Sequence, residues 1–221
     1  MNRFIKKFRW IAVISSVAVW MLGSPAKVKA IDFSTVVIDA GHGGHDPGGI
    51  PGQRVPEKMV ALDVAKRVQI LLQRSGLRTV MTRSGDYFVP LGERVGIANQ
   101  QSKAIFVSVH FNSGERVGAM GFETYFYRGD GANMASRIQR NLLTTCSTED
   151  RGVRQRGYYV LRNTRIPAIL VECGFLTNPT EAAMALNARH RQRLAQAIAE
   201  GILEEKYSGS MRRTGFMRAS N

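Results

Sequence analysis

From residue 31 onward, short apolar runs alternate with stretches of helical periodicity, the pattern of an α/β domain rather than a sandwich or a helical bundle. Val36, Val37 and Ile38 form a short apolar strand that runs into a glycine-rich turn. Over 57–74, Val60, Ala61, Val64, Val68, Leu71 and Leu72 recur at helical spacing and Gly76 follows as a stop, so a helix is predicted there. The same reasoning predicts a strand over 77–82, a helix over 91–101, a buried strand over 104–110, a glycine-bounded strand over 122–127 and a helix over 132–143. The polar, arginine-rich stretch 149–157 reads as a surface loop, and 158–161 and 168–171 read as the last two strands. Leu194, Ala197, Ile198 and Ile202 share one face of a closing helix over 189–207. The expected organisation is one folded domain over 31–207, without internal repeats, followed by a basic, disordered tail over 208–221.

The first 30 residues have a different character. Arg3, Lys6, Lys7 and Arg9 precede an uncharged, mostly apolar run over 10–23 and the small-residue pattern Val28-Lys29-Ala30, the shape of a secretory signal peptide cleaved after Ala30. The alternative, an uncleaved anchor, fits less well, because a run of 14 residues is shorter than the roughly 20 a spanning helix needs. The expectation is therefore export to the periplasm or cell wall, with no stable membrane span after cleavage.

Removing that leader changes the charge. The whole chain carries 31 basic and 17 acidic residues, or +14; residues 1–30 hold six of the basic ones, leaving 25 − 17, or +8, over 191 residues. Apart from Arg151, Arg154, Arg156, Arg162 and Arg165 the basic residues are scattered, and no zinc-finger, aromatic RNA-binding or basic-region pattern is present. Nucleic acid is accordingly not an expected partner, whereas anionic envelope polymers are. Cys146 and Cys173 read either as one disulfide or as two small buried thiols.

Chemistry-bearing residues gather at the expected strand ends. His42 lies in Asp39-Ala40-Gly41-His42-Gly43-Gly44 just after the first strand, where an open α/β sheet presents ligands, and His110 ends the strand over 104–110. Glu57 follows Pro56 at the first turn of the best helix, where its charge also suits the helix dipole. Glu172 ends the apolar run 168–171, and a carboxylate there must be paired or put to work, because burying it alone is expensive. Two histidines and a carboxylate suit a zinc ion with one open position, and a further carboxylate can carry protons for hydrolysis.

These motifs together resemble the zinc-dependent N-acetylmuramoyl-L-alanine amidases of bacteria. The resemblance is carried by 37–44 with Asp46-Pro47-Gly48, by Glu57-Lys58, by Ser108-Val109-His110-Phe111-Asn112 and by 171–178, and extends through 91–99, 150–153 and 159–162. It implies a single α/β domain with a central, mostly parallel twisted sheet of about six strands and helices on both faces. It further implies one zinc ion (Zn2+) on His42, Glu57 and His110, a catalytic glutamate at Glu172, and hydrolysis of the amide joining N-acetylmuramic acid to the L-alanine of the stem peptide in peptidoglycan. His45 falls at a variable position outside the metal set, His190 is expected to face solvent, and Phe111, where small residues are common, would narrow the groove beside His110. The regulated members carry a site-blocking helical insertion where this chain has only 128–133. The resemblance leaves an activating protein partner open. A zinc peptidase cutting within the stem peptide, or a wall-binding protein without activity, are the rival readings.

Overall fold

The computed structural model describes residues 31–218 except 50–52, 54, 115 and 117, with side chains through Ser208. The expected leader over 1–30 lies outside the described residues.

Six strands form one sheet in the order β2-β1-β3-β6-β4-β5: β1 (Thr35–Ala40), β2 (Arg78–Met81), β3 (Ala104–Asn112), β4 (Phe122–Phe126), β5 (Asp150–Gln155) and β6 (Ala168–Phe175). β2, β1, β3 and β6 are mutually parallel; β4 runs antiparallel to β6, and β5 pairs parallel with β4. The carboxyl ends of β1, β3 and β6 and the amino end of β4 thus meet along one edge. β1, β3 and β6 read as near-continuous apolar runs because both faces are covered.

Helices α1 (Glu57–Arg74), α3 (Ala132–Leu142) and α6 (Ala188–Arg218) cover one face, over a core that includes Ile38, Val68, Val107, Ile138, Val171 and Ile198. The other face carries α2 (Leu91–Asn99) and α4 (Tyr159–Asn163) over Val37, Phe106, Leu170, Val95 and Leu161. A single 3-10 turn, Gly129–Gly131, joins β4 to α3, without a helical insertion. Among the described residues no helix is long and apolar enough to cross a membrane.

Three expectations about the elements are corrected, and one helix had not been foreseen. The stretch read as a loop over 149–157 contains β5, whose polar, exposed sequence is what an edge strand carries to discourage pairing with other chains. The run 158–161, read as a strand, opens α4 instead; four apolar residues do not separate the two periods, and Val160 and Leu161 are buried through α4 packing on α2 and β6. The closing helix runs on to Arg218 rather than dissolving into a tail at 208, since elongating an established helix is cheap compared with starting one. A helix over Pro179–Leu186, α5, was not anticipated, although Asn178 caps it by accepting hydrogen bonds from the Thr180 and Glu181 amides and Pro179 occupies its first position.

Phe111 also departs from expectation. It is 2% exposed and packs in the core under α1, α3 and α6, on the opposite face from the His110 ring, so it does not narrow a groove there. Cys146 and Cys173 are free thiols, one half-buried and one buried.

His190 is buried at 4% exposure instead of facing solvent. Burial, with Arg193 and Arg191 nearby, pulls its pKa down to about 4. An unfolded histidine titrates near ~6.5, so as pH falls the unfolded chain takes up this proton first. The contribution is complete above pH ~6.5 and is lost toward pH 4, amounting to about 2 kcal/mol by pH ~5. Urea unfolding at pH 7.5 and 5.0 should show a steeper loss of stability for the parent than for His190→Gln; equal losses would refute this role.

Candidate functional site

Three elements deliver the site. β1 ends in a turn that carries His42, α1 begins with Glu57, and His110 stands near the end of β3. His42 Nε2 lies 3.0 Å from Glu57 Oε2, and His110 Nδ1 lies 2.8 Å from Glu57 Oε1. The Phe111 amide donates a further hydrogen bond to Glu57 Oε1 at 3.0 Å. One donor atom from each of His42, Glu57 and His110 lies within 4.8 Å of the others, a set able to hold a metal ion. His45 is not in this set; its ring lies against Phe88, with centroids 4.2 Å apart.

The backbone is shaped for this convergence. His42 itself has φ 61°, a left-handed conformation that costs a non-glycine residue energy and is held here by its surroundings. A Cβ at Gly41 would lie 2.3 Å from the His110 ring, so only glycine lets that imidazole approach. At Gly48, φ +72°, a Cβ would lie 2.6 Å from Glu57 Oε2.

Electrostatics bind the three together. Burial alone would raise the Glu57 pKa, but hydrogen bonds from His110 and His42 outweigh it and hold the carboxylate ionised. Burial would lower both imidazoles, and Glu57 reverses the sign in each, raising their proton affinity. The cluster is thus a buried negative group flanked by two nitrogen bases that seek a shared positive charge.

Glu172 lies beside the cluster rather than in it. On β6 it is in register with His110 of β3 and with Glu123 of β4. It is 8% exposed, and its Oε2 is buried with no hydrogen-bond partner among the described residues. Burial is the main cause that pushes its pKa well above the usual carboxylate range; His110 opposes the rise, and Glu57 and Glu123 add to it. A desolvated carboxyl with one oxygen unpaired among the described residues has the features of a candidate proton carrier.

Several residues that build the site escaped sequence reading. Asp46 Oδ2 lies 2.8 Å from His42 Nδ1; a carboxylate only accepts, so Nδ1 donates there and the ring is oriented with Nε2 facing the cluster. Its signal was the four-residue spacing from His42. Asp39, 1% exposed, accepts from Thr82 Oγ1 and Ser108 Oγ, both at 2.6 Å, and from Arg94 Nη1 at 2.8 Å. Arg94 donates onward to the carbonyls of Ala40, His42 and Val89. Arg83, fully buried, donates to the carbonyls of Ala40, Gly41, Gly85 and Lys58. Two guanidiniums therefore hold the three successive carbonyls that lead into and through His42. The charge of Asp39 inside an apolar strand hinted at a buried partner, whereas nothing local marked Arg83.

Comparison with known proteins agrees with this architecture. Residues 36–204 match the Amidase_3 family model, described as N-acetylmuramoyl-L-alanine amidase. The chain is 40% identical over 178 residues to the uncharacterized protein YqiI of Bacillus subtilis, covering 79% of this chain and 85% of that protein. It is 38% identical over 173 residues to the N-acetylmuramoyl-L-alanine amidase LytC of the same organism, covering 76% of this chain but 35% of LytC. The solved catalytic domain of CwlV, an N-acetylmuramoyl-L-alanine amidase from Bacillus (Paenibacillus) polymyxa var. colistinus, superposes with a TM-score of 0.74 at 36% identity, covering 78% of this chain and 97% of that domain. With the family model spanning most of the chain and a solved amidase domain sharing its fold, this chain belongs to the N-acetylmuramoyl-L-alanine amidase family.

Proposed function

We propose that this chain is an exported, zinc-dependent enzyme that hydrolyses the amide between the lactyl group of N-acetylmuramic acid and the L-alanine of the peptidoglycan stem peptide. The observation that carries the reading is the convergence of His42, Glu57 and His110 beside Glu172, whose Oε2 has no hydrogen-bond partner among the described residues. Two imidazole nitrogens and one carboxylate oxygen are the donor set zinc favours in hydrolases, and Glu57 already draws positive charge to the cluster. Bound zinc supplies Lewis acidity: it polarises a carbonyl oxygen, acidifies water and by its charge lowers the proton affinity of nearby carboxylates.

The protein's own groups do the rest. Asp46 orients the ring of His42, while the Arg83 and Arg94 guanidiniums hold the loop that carries it. Glu172 takes a proton from water as that oxygen attacks the lactyl carbonyl carbon. It then delivers the proton to the departing nitrogen, so the carbon–nitrogen bond breaks with a carboxylate on the glycan and a free amine on L-alanine. The net basic charge outside the leader, +8, supports retention near anionic wall polymers; binding to purified wall should weaken as salt is added.

Zinc-loaded protein incubated with intact peptidoglycan is expected to release peptides with free L-alanine amino termini, identified by mass spectrometry and abolished by chelation. Peptides that begin at a later residue would establish a peptidase instead. Asp46→Ala is expected to weaken zinc binding by about 10–100-fold in a chelator-competition titration, because the imidazole loses its orienting partner. Unchanged affinity would remove Asp46 from this role.

A further inference from the structure

The cleft that reaches His42 and His110 has a volume of about 380 Å³ and an apolar mouth. Phe88, Leu91, Tyr158 and Tyr159 line it, and each is 41 to 53% exposed. Large apolar side chains left this open on a folded surface call for a ligand, and these four surround one cleft. They come from two places that meet above the cluster: the segment entering α2, which carries Phe88 and Leu91, and the start of α4, which carries Tyr158 and Tyr159.

The rim is partly rigid. Phe88 lies tilted against His45 with centroids 4.2 Å apart, and Tyr158 meets the buried Tyr125 edge to face at 5.1 Å. The Tyr159 hydroxyl reaches across to Gly92, where a Cβ would sit 3.8 Å away. An aromatic surface held in this way offers contact area at little entropic cost.

Outside this cleft, on β4 and β5 beyond Glu172, the side chains are charged. Arg154, with a side chain 45% exposed, pairs with Glu123 at 3.2 Å, and the Arg151 guanidinium lies 4.9 Å from the Phe175 ring centroid. Arg151 also pairs with Glu123 at 3.5 Å and with Glu149 at 3.6 Å. One side of the cluster therefore presents neutral aromatic and apolar side chains, and the other presents guanidiniums paired to carboxylates.

The scissile bond joins two halves of matching character. The glycan is uncharged, because the carboxyl of its lactyl group is consumed in the amide, and each pyranose presents an apolar C–H face with hydroxyls at its edge. The peptide carries free carboxylates. We infer that Phe88, Leu91, Tyr158 and Tyr159 form the seat of the glycan strand, so that the stem peptide leaves the cluster across Arg151 and Arg154. This rests on the amidase reading and adds to it the direction in which substrate lies.

The test measures binding, not turnover. Metal-free full chain is titrated with chitotetraose, an uncharged N-acetylglucosamine oligomer without an amide to the peptide, and separately with a free synthetic stem pentapeptide, with tyrosine ring resonances as the readout. Tyr159→Ala and Leu91→Ser, both changes at exposed side chains, are expected to raise the Kd for chitotetraose at least tenfold and to move the pentapeptide by less than twofold. Arg154→Ala is expected to do the reverse. Failure of the parent to bind chitotetraose, an unchanged Kd in Tyr159→Ala, or a loss confined to the pentapeptide would each overturn the inference. Release of free L-alanine termini without sugar binding at the rim would refute this orientation alone; sugar binding there without such termini would refute the amidase reading alone.

Discussion

Glu172→Gln is expected to reduce stem-peptide release by about 10²–10⁴-fold while leaving bound zinc and the folded state intact. Glutamine keeps the shape of the side chain and removes only its ability to accept and return a proton. The structural cost is small because Oε2 has no hydrogen-bond partner to lose among the described residues. Stability should hold or rise, since a neutral amide replaces a carboxyl that is desolvated and crowded by Glu57 and Glu123. The combination is diagnostic. A residue that merely supported the fold would lower the melting temperature together with the rate, whereas a proton carrier loses rate alone. Metal content, a thermal melt and peptide release measured on one preparation decide between them, and full activity in the variant would remove Glu172 from the reaction.

The second large effect is expected at Arg94→Met. Asp39 and Arg94 are 1% and 2% exposed, and removing one partner of a buried pair leaves the other charge uncompensated, at about 3–5 kcal/mol. The double variant Asp39→Asn with Arg94→Met should recover much of that loss, because the charge is gone and asparagine can still meet Thr82 and Ser108. Zinc affinity should not recover with it. The carbonyls of Ala40 and His42 still lack the Arg94 donor, so the turn carrying His42 is no longer held at φ 61°. Urea unfolding separates the first effect and zinc titration the second. A double variant that regained both would show that Arg94 serves stability alone.

The two variants probe different distances from the reacting atoms, and so did the sequence. Its local patterns were sufficient where one residue announces its own surroundings. The buried strands β1, β3 and β6 are apolar on both sides, α1 carries a regular apolar face with a glycine stop, and Glu172 ends an apolar run abruptly. The family-like motifs around His42, Glu57, His110 and Glu172 were equally visible, because glycines and acidic groups at strand ends are sparse and ordered.

Where pattern was weak, neighbours decided. A polar hexapeptide became β5 because β4 offered it an edge, and four apolar residues became α4 because α2 and β6 offered a surface. His190 was buried by contacts no local pattern reports. The sequence by itself determined an α/β chain and singled out four candidates for hydrolytic chemistry, since strand and helix periods and residue types are local properties. Only the tertiary structure decided that Glu57 bridges His42 and His110, that Glu172 stands in register with His110, and that Arg83 and Arg94 hold the turn between, because each of those contacts joins residues distant in the chain through the register of the sheet.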